Sequence, residues 1–476
     1  MGGFSRSTMR RIASGGILLA AAGLITSASA ANAAPANLGS QPVYWVSLTG
    51  AAGGANTSCQ TAAYAAVQSA VNAAETYDST HPGAVPAIDI CPGTYSEQVT
   101  ILDSLALTRA PVAPDLGPVT IKLPAAVGNS QSTGLSTTNC QADDAATGTA
   151  KPQSVIEICA ASPGGANTTG VQVTASDLTV EGNWPNNVCY DSLYGILVGG
   201  GASLSLSDST VERIGAYPLN GCQGGVGIEA GYAPTSQIGH AKLSDDTVET
   251  YQKNGITIDG PGSTADIDDI VVAGSGPTSQ IAQNGIQVSY GATASVTRSS
   301  ITGNNYTGLG FASSAGILLF GGGGSVCGVG PSSQLVKHAT FTFNKLAGND
   351  IGIYMGNYNA ACTAAADTPT MNTACSNVIE NNNGYPGGHP SADANLSGFS
   401  TNPDVGYQAG VQDTGDRDAI CDNIISGAGY APRDATSSLP NPPPPAFVRP
   451  IDLVSVPPID AISYDNTYDG LLYDPS

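Results

Sequence analysis

The chain has 476 residues and a net charge of −22 at pH 7, from 15 Lys and Arg against 37 Asp and Glu. This excess of acidic residues argues against nucleic acid and anionic membranes as partners, because both are polyanions. With 60 Gly and only 7 Phe, the composition favours short strands joined by many turns over long helices.

The first 33 residues are predicted to be a secretory signal peptide. Three arginines precede an apolar run over residues 17–25, and Ala-x-Ala sequences end at Ala30 and Ala33. These are the charged, apolar and cleavage regions of such a peptide. The paired arginines leave the general and the twin-arginine export routes both open. No later segment reaches the ~18 continuous apolar residues of a membrane span, so we expect a secreted, extracellular protein.

Residues 34–84 are predicted to form an N-terminal strand and a helix. Four apolar residues recur there at the spacing of a single helical face. They are Tyr64, Val67, Val71 and Ala74.

A family resemblance lies in residues 87–101, which read AIDICPGTYSEQVTI. A strand followed by Pro-Gly-x-Tyr and Glu-x-Val-x-Ile resembles the opening coil of pectin methylesterases and of many pectin-lyase-like β-helix proteins. The superfamily likeness covers residues 58–430, whereas the closely matching motif covers only residues 87–101. The resemblance implies that the preceding helix plugs the open end of a solenoid, where unpaired strands would otherwise promote aggregation.

The sequence after this motif repeats Gly-Ile-x-Val, or a close variant, seven times. The residue after each glycine and the one two positions further are mostly aliphatic, while the residue between them is mostly polar. This alternation predicts a strand with one buried face. The repeats begin at Gly195, Gly227, Gly255, Gly285, Gly316, Gly352 and Gly410.

A second series of apolar residues lies between these strands, so each coil has two recognisable strands. Because parallel strands stack about 4.8 Å apart, like residues form buried columns. We therefore predict an all-β domain, a right-handed parallel β-helix solenoid with an N-terminal capping helix, whose coils occupy residues 85–435. The second series is Val211, Val248, Val271, Ile301, Leu346, Ile379 and Ile425.

Catalytic motifs of the resembling families are missing from this chain. The sequence lacks motifs similar to QDTL, DFIFG and LGRPW of pectin methylesterases, GHG and RIK of polygalacturonases, and the WIDH-type element of pectate lyases. A divergent polysaccharide lyase needs only a base and a cation that neutralises the uronate. If the protein is an enzyme, we therefore favour a lyase over a glycoside hydrolase or a pectin methylesterase. The alternative is a non-catalytic envelope or matrix protein that binds glycan or a protein partner.

Three coils carry extra residues on one side of the repeat, after the strands that begin at Gly227, Gly316 and Gly352. Aromatic and amide side chains there can wall a glycan groove, although solvated loops are the simpler interpretation. The predicted glycan-binding residues are Tyr232, His240, Lys242, Tyr354, Asn357 and Tyr358. The candidate acid/base pairs are Lys337 with His338 and Tyr251 with Lys253.

Acidic residues form another predicted column in the second series of strands. Stacked carboxylates repel one another unless they are paired, protonated or bound to metal, so we predict a Ca²⁺ site, with solvent exposure and Arg298 as the alternative explanation. The candidate ligands are Asp245, Asp246, Asp268 and Asp269. A second oxygen-rich loop contains Asp413, Asp416, Asp418 and Asp422.

Two Asn-Gly pairs, at Asn254 and Asn284, are interpreted as structural. Asn-Gly tolerates left-handed backbone, and stacked asparagines hydrogen-bond along a solenoid. Beyond the last repeat, residues 436–476 are rich in proline and are predicted to form an extended tail. We expect a monomer.

The ten cysteines of an exported chain are interpreted as five disulfides. The predicted pairs are Cys59–Cys91, Cys140–Cys159, Cys189–Cys222, Cys327–Cys362 and Cys375–Cys421. The repeat register stacks the last pair and places Cys189 and Cys222 in corresponding turns, whereas two pairs, Cys140–Cys159 and Cys327–Cys362, rest on proximity and elimination. Buried free thiols and a Cys362–Cys375 bridge are the alternatives.

Overall fold

The chain winds into stacked coils of short parallel strands in this computed structural model. The structure describes residues 41–111, 117–124, 153–160, 170–184, 193–307, 314–322, 334–358, 368–382, 408–427, 430, 448–453 and 461–473. Helix α1 spans Val67–Thr80, and a single 3-10 turn spans Ala233–Thr235.

In chain order the strands are β1 Val43–Val46, β2 Ala87–Ile90, β3 Gly93–Ser96, β4 Val99–Ile101, β5 Leu105–Arg109, β6 Val119–Lys122, β7 Gln153–Cys159, β8 Gln172–Ser176, β9 Leu178–Trp184, β10 Leu193–Gly199, β11 Ala202–Ser207, β12 Thr210–Ala216, β13 Val226–Ala230, β14 Gly239–Ser244, β15 Thr247–Glu249, β16 Asn254–Asp259, β17 Thr264–Asp268, β18 Val271–Thr278, β19 Asn284–Ser289, β20 Thr293–Thr297, β21 Ser300–Tyr306, β22 Ala315–Gly322, β23 Thr340–Thr342, β24 Lys345–Ala347, β25 Ile351–Tyr358, β26 Thr373–Cys375, β27 Val378–Glu380, β28 Gln408–Asp413, β29 Ala419–Cys421, β30 Ile424–Ser426, β31 Val448–Leu453, β32 Ile462–Tyr464, β33 Thr467–Tyr468 and β34 Leu471–Leu472.

These strands form three long sheets. From β2 to β33, successive strands enter sheets A, B and C in turn, so each coil adds one strand to every sheet. Sheet A runs from β1 to β32, sheet B from β3 to β34 and sheet C from β4 to β31. Strands of adjacent coils pair in parallel, and within the described ranges only β34 returns antiparallel to β33. The predicted all-β, right-handed parallel β-helix is confirmed.

The aliphatic residue after each repeat glycine lies in one continuous column inside sheet C. Its members pair in register from coil to coil and are buried. Each such side chain contributes about 1.5–3 kcal/mol through burial. The glycine itself is required, because a Cβ on Gly255 would lie 2.6 Å from the carbonyl oxygen of Gly285 in the next coil. The column comprises Ile196, Ile228, Ile256, Ile286, Ile317, Ile353 and Val411.

The second series of apolar residues stacks inside sheet B, with one correction. Val248 pairs with Val272 rather than with Val271, which is 44% exposed. The turn between sheets A and B determines which residue of the sheet B strand points inward. The first residue of this turn has a positive φ, and the third residue after it points inward. In this coil the turn residue is Asp269, with φ 53°, so the predicted alignment was displaced by one residue.

Asparagines occupy the second position of the same turn in four consecutive coils. Each side-chain amide donates to the side-chain oxygen of the next, at 3.1, 3.0 and 2.9 Å. The four residues are 0–1% exposed, so these bonds satisfy amides that burial would otherwise leave without water. This asparagine ladder comprises Asn344, Asn377, Asn423 and Asn466.

Helix α1 packs against the strands of the first coil. Its buried face joins the solenoid core through Val67, Val71 and Ala74. The Glu97 carboxylate accepts hydrogen bonds from the first two helical amides, at 2.8 and 2.9 Å, as expected at a helix N-terminus. Tyr64 precedes the helix and bridges to a β1 residue instead. The capping role of α1 stays a prediction.

No described helix is long and apolar enough to cross a membrane. The predicted signal peptide, residues 1–33, lies outside the described residues.

The solenoid continues into the segment that was predicted to be an extended tail. Over residues 436–476, strands β31, β32 and β33 add one strand to each sheet. β31 is the terminal strand of sheet C, where Pro450, which has no amide hydrogen, is tolerated. Proline excludes an interior strand but not an edge strand, so composition alone placed the C-terminal boundary too early.

Two of the predicted disulfides lie within the described residues. They join Cys59 to Cys91 and Cys375 to Cys421, with Cα–Cα distances of 5.7 and 4.5 Å. The second bridge follows the strand register, in which the two cysteines are direct partners, and excludes the Cys362–Cys375 alternative. Cys159 and Cys222 are also disulfide-bonded. Cys140, Cys189, Cys327 and Cys362 lie outside the described residues.

Truncation of the aliphatic column should weaken the whole solenoid. We expect Ile286→Ala to lower the free energy of unfolding by about 2–5 kcal/mol, because the cavity cannot be filled from neighbouring coils. Ile286→Asp should yield no soluble protein, since it buries an unpaired charge. Thr264→Asp, at an exposed position of sheet A, is the control. Equal denaturation midpoints for all three variants and the wild type would contradict the register.

Removal of the bridge between coils should have a smaller effect. The double substitution Cys375→Ser with Cys421→Ser is expected to lower the free energy of unfolding by about 2–4 kcal/mol, because the unfolded chain gains freedom. Denaturant unfolding measures the change, and non-reducing peptide mapping must show the Cys375–Cys421 peptide in the parent protein. A Cys362–Cys375 peptide instead would exclude the pairing.

Candidate active site

The outer face of sheet C brings together polar side chains from three neighbouring coils. Because alternate residues of a strand face opposite sides, the residue after each core isoleucine points away from the solenoid interior. In the central coils these residues are Glu229, Thr257 and Gln287, which are paired neighbours. Asp259 and Ser289 lie two residues further along their strands and share the same face. This group is called the sheet C polar face.

One branch of hydrogen bonds on this face leads to Glu229. Thr257 is the direct strand partner of Glu229, and hydrogen bonding from its side chain lowers the pKa of the Glu229 carboxyl group. Thr257 Oγ1 in turn accepts a hydrogen bond of 3.1 Å from Asn254 Nδ2. Asn254 Oδ1 accepts from Asn284 Nδ2 at 3.1 Å, so the predicted stacking of these two asparagines is confirmed.

A second branch leads from the same amide to Asp259. Asn254 Nδ2 also donates to Gln287 Oε1 at 3.1 Å, and Gln287 Nε2 donates to Ser289 Oγ at 3.3 Å. The Ser289 hydroxyl completes the branch by donating to Asp259 Oδ1 at 2.8 Å. The other oxygen of Asp259 accepts from the backbone amide of Ala233 at 2.7 Å. Asp259 therefore receives two hydrogen bonds from well-placed donors.

The two carboxyl groups differ in their environments. Burial raises the pKa of Glu229 well above its ordinary value, the negative charge of Asp259 raises it further, and the Thr257 hydrogen bond opposes both. Burial also raises the pKa of Asp259, but the Ala233 amide and the Ser289 hydroxyl lower it. The pKa of Glu229 is therefore raised more than that of Asp259, whose two hydrogen-bond donors stabilise its charged form.

The strand register sets the spacing of the two acids. Glu229 is opposite Thr257, and Asp259 is two residues further along the same strand. With strands about 4.8 Å apart and a rise of about 3.3 Å per residue, the two Cα atoms are about 8 Å apart. Both side chains face the outer side of sheet C and are 4% and 6% exposed.

A polar groove begins where β16 and β19 leave sheet C. Its volume is about 590 Å³, and Lys337 is the charged residue of its lining. Beside it, the rings of Tyr290 and Phe320 meet edge to face with centroids 5.9 Å apart. The lining residues are Gly262, Ser263, Thr264, Gly291, Thr293, Gln334, Leu335 and Lys337.

The predicted glycan-binding residues do not form one cluster. Tyr232 packs edge to face on Tyr194 at one end of the outer face of sheet C, at a centroid distance of 6.4 Å. Tyr354 and Tyr358 lie at the other end, where their hydroxyl groups are hydrogen-bonded to each other. These three aromatic residues therefore flank the sheet C polar face on opposite sides.

The other three predicted glycan-binding residues lie elsewhere. His240 and Lys242 belong to β14 of sheet A, where His240 Nδ1 is 2.8 Å from Thr264 Oγ1. Asn357 is completely buried and holds the loop before β23, since its side chain bonds both the amide and the carbonyl group of Val336. Asn357 is therefore a structural residue, and the prediction that it contacts a ligand is wrong.

The two predicted acid/base pairs have different outcomes. Tyr251 lies inside the hydrophobic core, where its hydroxyl donates to Asn304 Oδ1 at 2.6 Å. It cannot act with Lys253, whose Nζ donates to the Ala282 carbonyl oxygen at 2.7 Å. Burial lowers the pKa of Lys253 to about 8. Lys337 and His338 are exposed on the loop that enters sheet A, and their catalytic role stays a prediction.

The four predicted calcium ligands do not converge. Asp269 and Asp245 are exposed turn residues, while Asp268 belongs to β17 and forms an ion pair with Arg298. Asp246 is buried in the turn, and its Oδ1 accepts from the backbone amide of Ser209 at 2.9 Å. The displaced alignment of this coil had placed Asp268 in the wrong column. In the part of the chain that the structure describes, no three His, Cys, Asp or Glu side chains are grouped to hold a metal.

The second oxygen-rich loop contains a buried carboxyl pair. Burial raises the pKa of both Asp413 and Asp418, and the negative charge of Asp418 raises that of Asp413 further. Asp418 accepts bonds from the Thr370 hydroxyl and the Asn372 amide, at 2.6 and 2.7 Å. These donors stabilise the charged form of Asp418, so Asp413 is the carboxyl group whose pKa is raised more.

Glu229 and Asp259 are the functional candidates that sequence reasoning missed. Glu229 stood in the outward series of the repeat but was treated only as a polar surface residue. Extending the alternation by two residues in GITID would have placed Asp259 on the same face. The signal was therefore present, but it required the register between coils.

The buried Asp246 should make stability depend on pH. Burial raises its pKa to about 7, so the folded state holds a proton that the unfolded state loses at lower pH. Its contribution to stability is therefore present at acidic pH and is lost as pH rises towards 7. Asp246→Asn should raise the free energy of unfolding at pH 8 by up to about 4 kcal/mol and change it little at pH 4.

Denaturant unfolding at both pH values measures this effect. Asp269→Asn is the matched control, because Asp269 is exposed in the corresponding turn of the next coil and asparagine also tolerates a positive φ. A destabilised Asp246→Asn variant at pH 8 would show that the charged carboxylate is stabilising instead.

Comparisons with known proteins find solved structures of low sequence identity. No family model and no curated protein matches the chain. Among solved structures, XylC in complex with xylose is 10% identical and matches over 81% of this chain and 69% of its own, with a TM-score of 0.45. Pectate lyase Pel9A is 13% identical over 72% and 77%, with a TM-score of 0.36. A rhamnogalacturonan lyase is 10% identical over 90% and 87%, with a TM-score of 0.38.

Proposed function

We propose that this protein is an extracellular carbohydrate-active enzyme that cleaves glycosidic bonds on the sheet C polar face. Glu229 acts as the general acid, and Asp259 is the ionised partner. The single observation that carries the proposal is the pairing of two buried carboxyl groups whose hydrogen bonds differ. Such a difference allows one carboxylic acid to donate a proton while its neighbour stays charged.

The surroundings of the pair support a sugar substrate. The amide group of Gln287 and the hydroxyl groups of Thr257 and Ser289 share the sheet C polar face with the acids, and such groups hydrogen-bond to sugar hydroxyls. The ring pair of Tyr290 and Phe320 borders the same face, and aromatic rings stack on the apolar faces of sugars. The disulfides support an oxidising, extracellular location.

A lyase is the second candidate, and Lys253 favours it. Its lowered pKa of about 8 suits a base that abstracts a proton next to a uronate carboxyl group. Lys253 precedes Asn254, at the edge of the same sheet C face. However, its Nζ is bound to a carbonyl oxygen, and among the described residues no basic group accompanies the acid pair in the hydrogen-bond network. The carboxyl pair therefore supports hydrolysis or transfer better than elimination.

The test is a screen of the purified protein against neutral and acidic polysaccharides. Glycosidic cleavage releases reducing ends without ultraviolet absorbance, whereas elimination produces the absorbance of an unsaturated uronate. Glu229→Gln and Asp259→Asn should each lower the rate at least about 100-fold, the usual contribution of acid/base catalysis. Glu249→Gln, on β15 in the neighbouring sheet, is the control and should keep the rate of the wild type.

The pH profile adds an independent check. Because the pKa of Glu229 is raised, activity should persist to higher pH than an ordinary glutamic acid permits and should fall once Glu229 ionises. Elimination that is abolished by Lys253→Met but not by Glu229→Gln would favour the lyase. Binding without cleavage, unchanged in both acid variants, would favour the non-catalytic alternative.

A further inference from the structure

The direction of the hydrogen bonds on the sheet C polar face is fixed by one backbone amide. The Ala315 amide can only donate, and it donates to Asn284 Oδ1 at 3.2 Å. This contact assigns the oxygen of the Asn284 side chain, so its Nδ2 must point to Asn254. The atom of Asn254 that receives this donor is consequently Oδ1.

The orientation of the Asn254 side chain follows from that of Asn284. With its oxygen turned to Asn284, its Nδ2 faces Thr257 and Gln287 and supplies one hydrogen to each. A hydroxyl that accepts at its oxygen has its hydrogen free for another acceptor. The Thr257 hydroxyl therefore has its hydrogen free for Glu229, its direct strand partner, whose pKa it lowers.

The Gln287 branch obeys the same rule. Its Oε1 accepts from Asn254, so its Nε2 donates to Ser289 Oγ. Ser289 then has its hydrogen available and donates it to Asp259. Both branches thus end with a hydroxyl that donates to a carboxyl group.

We propose that Asn254 is a positioning residue that directs one hydroxyl donor to Glu229 and another to Asp259. The proposal rests on the proposed function for its catalytic meaning, but the contacts themselves do not. Asn254 is 5% exposed and touches neither carboxyl group through its own polar atoms in the described bonds, so it acts through Thr257 and Gln287. A single side chain therefore controls the protonation of two acids in adjacent coils.

The decisive variant is Asn254→Asp, which keeps the size of the side chain and removes its donors. The introduced carboxylate, once ionised, accepts a hydrogen bond from the Thr257 hydroxyl. The Gln287 amide group then turns over, so that its Nε2 donates to the carboxylate and its Oε1 accepts from the Ser289 hydroxyl. Both native carboxyl groups then lose their hydroxyl donors, which stabilise the charged forms. We expect upward shifts in the titration midpoints of Glu229 and Asp259 together.

The readout is the carboxyl carbon-13 chemical shift of the folded protein, selectively labelled at Glu and Asp, as a function of pH. Spectra of Glu229→Gln and Asp259→Asn assign the two signals. Thr257→Val should raise only the midpoint of Glu229, and Ser289→Ala only that of Asp259. These single variants keep the proposal testable if Asn254→Asp does not fold.

A double-variant cycle separates the positioning effect from the added charge. If Asn254 acts through Thr257, the shift of Glu229 in Asn254→Asp with Thr257→Val is smaller than the sum of the two single shifts. Additive shifts would mean that only the introduced negative charge acts, and they would overturn the proposal. Unchanged midpoints in Thr257→Val and Ser289→Ala would overturn it as well.

This titration requires no substrate, so its result does not depend on whether the proposed function is correct. Shifted midpoints in a protein that cleaves no glycan would preserve the positioning role and refute the enzyme. Glycan cleavage with unshifted midpoints would preserve the enzyme and refute the role of Asn254.

Discussion

Pairing between coils in a fixed register is the constraint on which the rest of this structure depends. The strands are three to eight residues long in most coils, too short to be stable alone. Each one obtains its backbone hydrogen bonds and buries its aliphatic residues only through the coils above and below. The aliphatic column, the asparagine ladder and the polar face therefore all result from this register, each at a different position of the coil.

The candidate site inherits its geometry from this register. Asp259 and Ser289 are 30 residues apart in sequence yet are direct partners in sheet C. Burying two carboxyl groups is costly unless donors meet them, and the donors to Asp259 come from the coils on either side rather than from its own strand. The outer face is apolar around Tyr194 and around Tyr354, so the acids occupy a polar interval between two apolar ends.

Much of the fold could be predicted from the sequence because each coil repeats the same residue types at the same positions. The Gly-Ile positions give the register of sheet C, and the aligned Ile379 and Ile425 of the second series give the Cys375–Cys421 bridge. The coil that contains Asp268 and Asp269 was misaligned because its sequence fits two alignments that differ by one residue. Only the positive φ of Asp269 selects between them. The last coil was missed because proline composition does not distinguish an edge strand from a tail.

The candidate site was harder to predict for a different reason. Tyr251 and Lys253 are close in sequence, but the alternation of the chain sends the tyrosine into the core. Glu229 and Asp259 form no local motif, since each is a single carboxylate within an otherwise ordinary strand. Their significance lies in the hydrogen bonds between coils and in burial, and both depend on three-dimensional contacts that no single segment encodes.

The constant length of the turn between sheets A and B limits where this solenoid can accept insertions. From β11 onward it contains two residues in every coil, and in the last coils the buried asparagine ladder occupies it. An insertion there would break the ladder and shift every later coil. The other two corners vary in length, and both border the outer face of sheet C. Loops of different length can therefore be placed beside the acid pair while the turn between sheets A and B keeps its length, so the surface around the pair can change without cost to the fold.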